Sequence, residues 1–528
     1  MQISRDERHG RLHFRFRCVD SDFNFECGFL GQSIGHASNS LGLTQALYNI
    51  LRDFCVEDAS PPTGSTAQPR FDGALHKHVL NITEAISVDS ASNEITSARE
   101  VCTWHPDIAP SKLPKCKYIL RDSAHSARRI LERGFGADTV LDGIMKVFVH
   151  DKNSPGQMIH HSVELKQLKT QCCSDSKSEC AVSTVFTSMR AAKHRIETYT
   201  TPLSRCILNP SGLLAFLMKV CTVRSGQAQG TTATTFLNLV CDEMFIQAAM
   251  MCDASSVTLN LIRCFDTENM PTADLCQQLQ AYLVKLDWMF NQSGCLNIPG
   301  HVAFMLQWLR QPHFVSWPGK SKCIGGCPVS QGALDTTLGR MKAWVRVVKQ
   351  IIEAEFPQFS LICSLSVFCL QPAPSADLSP AVRTKLQRLA NTFNKKRLEM
   401  EFADHLSWAL QSFADAQGSF WNAWACAVRQ TRGMRGSAHP SDDLAYVVQR
   451  GICFAPTTSP IEQSFSKVAE RLGSKRLNAD ASTEACSVGL LVLNLDEPGL
   501  EALARMACDN YKRCFGHCDT REHFRLRA

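Results

Sequence analysis

The stretch Thr457-Thr-Ser-Pro-Ile-Glu-Gln-Ser-Phe-Ser466, continuing Lys467-Val-Ala-Glu-Arg-Leu472, decides how this chain is read. Ser459 followed by Pro460 is a helix start. A capping hydroxyl precedes the one helical position where a missing N–H costs nothing. Glu462 falls three residues after Ser459, which makes a capping box. Ile461, Phe465, Val468 and Leu472 then recur at helical spacing and form one buried stripe. Taken locally, Glu462 bonds back to the Ser459 backbone N–H and supports the helix start by roughly 0.5–1.5 kcal/mol.

Far upstream, Arg11-Leu-His-Phe-Arg-Phe-Arg-Cys18 alternates strictly. Leu12, Phe14, Phe16 and Cys18 share one side, and Arg11, His13, Arg15 and Arg17 share the other. That period of two predicts a half-buried strand. Gln2 to Asp6 predicts a strand before it, with Glu7 to Gly10 as the turn, and Phe23 to Leu30 predicts a third. Leu41 to Val56 reads as a helix with Leu43, Leu47, Ile50, Leu51 and Phe54 on its apolar side. Ser60 to Pro69 is a polar, proline-rich loop. Val79 to Val88 reads as a strand that ends at Asp89-Ser-Ala-Ser-Asn93. An aspartate at the carboxyl end of a strand is a common site geometry, and an equally common helix cap.

Three motifs together resemble the hAT family of transposases. The family's C-terminal signature is a Ser-rich turn, then Ser-x-x-Glu-Arg-x-Phe-Ser and an Arg-x-x-Leu turn. Here it stands as Ser459-Pro-Ile-Glu462-Gln-Ser-Phe465-Ser466, with Lys475-Arg476-Leu477 following. The family's Asp-x-Ala-Ser-Asn is matched by Asp89-Ser-Ala-Ser-Asn93. Its Cys-x-x-His is partly matched by Asp122-Ser-Ala-His125, which lacks the cysteine. The family's Arg after the Glu is Gln463 here, a second departure.

The resemblance implies an α/β fold with a large all-α insertion, in which a ribonuclease-H-like mixed sheet is split by a helical domain. Three strands and then a helix is how such a sheet opens. The implied division is residues 1–137 for the first part of the sheet domain, 138–451 for the helical insertion and 452–528 for the second part. It also implies DNA strand cleavage and transfer, with Asp6, Asp89 and Glu462 as catalytic acids and ligands for Mg²⁺ or Mn²⁺. Asp20 and Asp22 compete with Asp6 for the first position. His125, Arg121, Arg128 and Arg129, with Arg133 beside them, would meet the phosphate backbone. DNA is the implied partner and the nucleus the implied compartment. A non-catalytic, transposase-derived protein that dimerises or binds DNA or protein is the alternative. The chain shows no zinc-finger module before the first strand, and the two departures point the same way.

Composition is consistent with this reading without selecting it. The chain has 528 residues, 44% of them hydrophobic and 20% charged, and a net charge of +6, which permits nucleic-acid binding without demanding it. Its 25 cysteines are scattered through apolar runs and read as reduced, intracellular thiols. Cys323-Ile-Gly-Gly-Cys327 and Cys514-Phe-Gly-His-Cys518 match no standard finger, so zinc is not expected. No uninterrupted apolar run reaches membrane-spanning length.

From Asp138 to Gly451 the pattern is helical. Leu334, Leu338, Met341, Val345, Val348 and Ile352 keep a 4-3-4-3-4 spacing, and Leu275 to Met289 repeats the rhythm. Ser379-Pro380 begins another helix. Breaks are expected at 321–332, 371–378 and 433–443. After Arg476, Ala485, Val488, Leu491, Val492 and Leu495 make a helix that is apolar on more than one side. Homo-oligomerisation through this C-terminal region is the expectation.

Overall fold

In the computed structural model, the described residues are 1–8, 11–57, 70–89, 91–102, 113–175, 199–266, 272–356, 358–371, 378–416, 419–433, 440–456, 458 and 461. The alternating N-terminal segments pair as strands β1 (Gln2–Arg8), β2 (Arg11–Val19) and β3 (Phe25–Ile34). Helix α1 (Ser40–Phe54) follows, capped by the Asn39 side chain on Gly42 N–H. A short ribbon of β4 (Val56–Glu57) and β5 (Arg70–Phe71) leads to α2 (Gly73–Ile82). Then come β6 (Ala85–Val88), α3 (Ser92–Cys102), β7 (Tyr118–Arg121) and α4 (Ser123–Gly136). The five long-range strands form one mixed sheet in the order β3-β2-β1-β6-β7. β1 is antiparallel to β2, and β2 to β3, whereas β1 and β6 run parallel.

Three local expectations change. Val79 to Ile82 lies in α2, not in a strand, because the Asp72 carboxylate caps Ala74 N–H and Leu75 N–H, both at 2.9 Å, and starts a helix there. The third strand begins two residues later than predicted. Asp20 Oδ1 accepts from Asp22 N–H and Asn24 N–H at 2.8 Å, and this Asx turn occupies the residues before Phe25. Pro312–Trp317 and Lys320–Gly325 form a hairpin, β8 and β9, where a break was expected from residue 321. Pro318-Gly319, with Gly319 at φ +77°, supplies its turn.

The chain divides into two compact units. The first comprises residues 1–119 and 458–528, and the second comprises 120–457. In the first, one sheet face packs on α1 and α3, with Ile3, Leu12, Phe14, Leu47, Ile86, Val88, Ala98 and Val101 in its core. The second unit is helical apart from β8 and β9, among the described residues. Its centre is the helix Asp242–Phe265, where the run from Phe245 to Ser255 is buried without a break. By length and composition this helix is apolar enough to cross a membrane, but 78% of its most apolar window is buried inside the protein. The predicted 4-3-4-3-4 stripe lies on the helix Gln331–Glu355, where Leu338, Met341, Val345, Val348 and Ile352 are all buried. The helix predicted at Ser379-Pro380 is Pro380–Phe393, with Ser379 as its cap. α4 packs on these helices, and the opening segment of the first unit runs to Ile119.

One cysteine pair departs from the all-thiol expectation. Cys276 and Cys363 form a disulfide with their Cα atoms 5.0 Å apart. Other cysteines, among them Cys55, Cys206, Cys252 and Cys295, are buried as small apolar side chains.

A charged contact lies inside the first unit's core. Arg5 shares the Ile3 side of β1, yet its side chain is 0% exposed. Its Nε donates to Glu94 Oε2 at 2.6 Å and its Nη2 to the Glu94 carbonyl at 3.1 Å. Nη1 reaches the Leu43 carbonyl at 3.5 Å, which ties β1 to both helices. Burial pushes the Glu94 carboxyl up, and Arg5 opposes that shift without cancelling it. Replacing only Arg5 (Arg5→Met) leaves a buried acid without its cation. The expected loss is about 3–5 kcal/mol in urea unfolding followed by circular dichroism, and Arg5→Met with Glu94→Met should regain most of it.

Candidate acidic site

In β1 and β6 the parallel register sets Gln2 opposite Ala85, Ile3 opposite Ile86 and Ser4 opposite Ser87. Two residues further along lie Asp6 in β1 and Asp89 just past the end of β6. Side chains alternate along a strand, so Asp6 shares the side of Ser4, and Asp89 continues the side of Ser87. Ile3 and Arg5 point the other way, into the core against α1 and α3. The parallel pairing runs as far as Ser4 and Ser87, and the two sequence-predicted aspartates each follow two residues after that last pair.

The row continues through the antiparallel strands. Asp6 is the direct partner of His13, and His13 is the direct partner of Gln32. Ser4 faces Arg15, and Gln2 faces Arg17. Sequence alternation predicts that this side of β2 is the solvent side. In the structure His13 is 1% exposed, Asp6 is 9% exposed, and Gln2, Ser4 and Ser87 are buried. Both faces of the sheet's centre are thus covered, one by apolar residues and one by polar residues. Asp6 Oδ1 accepts from Glu7 N–H at 2.9 Å, which helps orient its carboxylate. Asp89 is half-buried and lies near enough to Glu94 to help push that carboxyl up.

Asp20 and Asp22, the rivals of Asp6, lie in the β2–β3 turn, where Asp20 serves as the turn's acceptor. Glu462 and the C-terminal apolar helix lie outside the described residues, as do Cys508, Cys514 and Cys518. Among the described residues no three His, Cys, Asp or Glu side chains gather as a metal-holding group. Sequence reading missed His13, Arg5 and Glu94 as organising groups. The one available signal was a charged residue, Arg5, on the apolar side of a strand.

The basic cluster belongs to the second unit. Asp122 is the N-cap of α4 and accepts from His125 N–H at 2.7 Å. The same oxygen, Oδ1, sits 3.0 Å from His125 Nδ1. The residue that stands where the family motif has cysteine is thus a helix cap. Arg121 and Arg129 face the carboxylate of Glu355 at 3.4 and 4.0 Å, and Arg133 also pairs with it. Arg121 donates to the Ala354 carbonyl and Ser126 to the Glu355 carbonyl. Glu355 ends the helix Gln331–Glu355 and is 1% exposed. Three arginines therefore neutralise one buried acid and the negative end of a long helix. Arg128 lies within electrostatic reach of Tyr199.

No protein-family model matches the chain, and no curated protein matches it.

His13 supplies a pH test. Burial, opposed by its hydrogen bond with Gln32, holds its imidazole at about 4 against an ordinary 6.5. Between those values the unfolded chain takes up a proton that the folded chain refuses. This group's contribution is complete above pH 6.5 and is lost as the pH falls toward 4, up to about 3 kcal/mol. Glu94, with its raised carboxyl, acts in the opposite sense across acid pH. The difference between the wild type and His13→Gln isolates the histidine. Urea midpoints measured from pH 7 to 4 should fall more steeply for the wild type, and parallel profiles would show that His13 is not held neutral.

Proposed function

We propose that this chain is a hAT transposase-like protein with a ribonuclease-H-like sheet, and that it acts on DNA through Asp6, Asp89 and Glu462. The observation that supports this is the parallel pairing of β1 with β6, with Asp6 and Asp89 each two residues beyond the last pair, Ser4 and Ser87. The opening order of three antiparallel strands and then a helix supports the fold assignment. Two carboxylates on rigid strands also suit a hard cation. Mg²⁺ typically takes one or two protein carboxylates and keeps several waters, and Mn²⁺ accepts the same oxygen donors.

In this proposal Asp6 and Asp89 hold the cation, and Glu462 completes the set from its helix. When bound there, such a cation would supply activation of a water or 3′-hydroxyl and stabilisation of the leaving oxygen of the phosphodiester. The protein contributes position: a strand pair fixes two oxygens relative to each other more firmly than loops would. DNA is the partner, the nucleus the compartment, and self-association through residues 484–513 the assembly mode.

The non-catalytic alternative draws on a specific observation. Arg121, Arg129 and Arg133 are engaged with Glu355, so part of the expected phosphate-facing charge already has a partner in the fold. A protein of this kind would bind or dimerise without cutting.

Cleavage assays on duplex DNA with Mg²⁺ or Mn²⁺ separate the two. On the catalytic reading, Asp6→Asn, Asp89→Asn and Glu462→Gln each reduce cleavage at least 100-fold while salt-sensitive DNA binding persists. Salt-sensitive binding with no cleavage by the wild type would favour the non-catalytic form. Neither binding nor cleavage at low salt would remove DNA as the partner. Light scattering at micromolar concentration should give more than the monomer mass, and Leu491→Asp with Leu495→Asp should restore the monomer.

A further inference from the structure

The second unit contains a linear Ser–His–Asp arrangement that no motif in the sequence announces. Ser204 lies in the helix Thr201–Ile207, Asp253 in the helix Asp242–Phe265, and His301 is the first residue of the helix His301–Trp308. Ser204 Oγ is 2.7 Å from His301 Nε2, and His301 Nδ1 is 2.8 Å from Asp253 Oδ1. Asp253 is itself held in place: Oδ1 accepts from His301 N–H at 2.9 Å and Oδ2 from Val302 N–H at 3.0 Å. The closeness depends on Gly300. A Cβ there would lie 2.9 Å from Asp253 Oδ1 and push the carboxylate away.

The bonding pattern assigns the protons. A carboxylate only accepts, so Nδ1 of the imidazole carries the hydrogen facing Asp253. The neutral ring then presents a lone pair at Nε2, and the Ser204 hydroxyl donates to it. The Asp253 side chain is 8% exposed and that of His301 14%, and Ser204 is half-buried, so the acid is the sheltered member of the three. This order of nucleophile, base and orienting acid is what activates a serine toward acyl carbon.

We propose that Ser204 is an activated nucleophile and that the second unit reacts with small carboxylic esters. Ser204 Oγ forms a bond to the ester carbonyl carbon while its proton passes to His301 Nε2. The alcohol leaves with that proton, and the acyl group stays on Oγ. Water then attacks the acyl carbon and gives a proton to Nε2. The carboxylic acid is released as Ser204 regains its proton, so ester and water become acid and alcohol. Asp253 is a positioning residue, because it holds the ring and its tautomer without touching the reacting atoms. A role limited to capping the helix His301–Trp308 would use Asp253 and leave Ser204 inert.

The test is labelling of the full chain with a reporter-bearing fluorophosphonate, read by mass spectrometry. Its phosphorus bonds to Oγ, fluoride leaves, and the proton goes to His301. The expected result is one adduct, on Ser204. Ser204→Ala should carry none, His301→Gln should label at least 100-fold more slowly, and Asp253→Asn at least 10-fold more slowly. p-Nitrophenyl acetate should give a burst of p-nitrophenolate that Ser204→Ala lacks. A folded wild-type chain that takes no label overturns the proposal, as does Ser204 labelling that His301→Gln leaves unchanged. Should His301→Gln or Asp253→Asn unfold by circular dichroism, the folded wild type decides, and labelling of Ser204 no faster than of the chain's other serines overturns the proposal.

Discussion

The buried contact between Arg5 and Glu94 sets the orientation of the strand on which the first unit is built. With Arg5 drawn between α1 and α3, the period of two leaves β1 no choice about its other residues. Ile3 joins the core, and Ser4 and Asp6 must lie on the opposite face. A one-residue slip would move Asp6 into the apolar layer and Arg5 out of it. The cost of burying the guanidinium is offset by three acceptors: the Glu94 carboxylate, the Glu94 carbonyl and the Leu43 carbonyl. Desolvation still raises the Glu94 carboxyl, so the pair gives specificity of register more than net stability.

That constraint also explains the unusual second face. Once Asp6 is committed to it, its cross-strand partner His13 and then Gln32 form a polar row. His13 shows the consequence in its titration, because an imidazole kept from water resists protonation even beside an acid-bearing strand. Polar residues within a sheet's covered centre are expensive unless they serve a purpose.

The second unit uses its buried charges differently. Glu355 gathers arginines from β7 and α4 at the end of a 25-residue helix, and Asp253 gathers two backbone amides and an imidazole at the start of another. Asp253 satisfies the amides of His301 and Val302 at a helix start, whereas at the other helix end the carbonyls of Ala354 and Glu355 accept from Arg121 and Ser126. The two acids differ in what lies beyond them: Glu355 is surrounded by cations, whereas Asp253 is connected through His301 to a hydroxyl.

The local pattern of residues was enough to read the first three strands, α1, the helical stripe from Leu334 to Ile352 and the capped start at Ser379, because periodicity and capping act within a few residues. The end of the apolar strand just before Asp89 was also legible, and β6 ends at Val88. Local pattern misassigned Val79 to Ile82, where the Asp72 cap outweighed an apolar run, and it overlooked the β8–β9 hairpin within a helical region. It read the Arg121 to Arg133 cluster as a surface for phosphates, since nothing near those arginines in sequence reveals Glu355. The tertiary structure alone decided the partners. Arg5 meets Glu94, 89 residues away, and Ser204 meets His301, 97 residues away. Such pairs depend on register, helix packing and the absence of a Cβ at Gly300, and no spacing along the chain encodes a contact made by folding distant segments together.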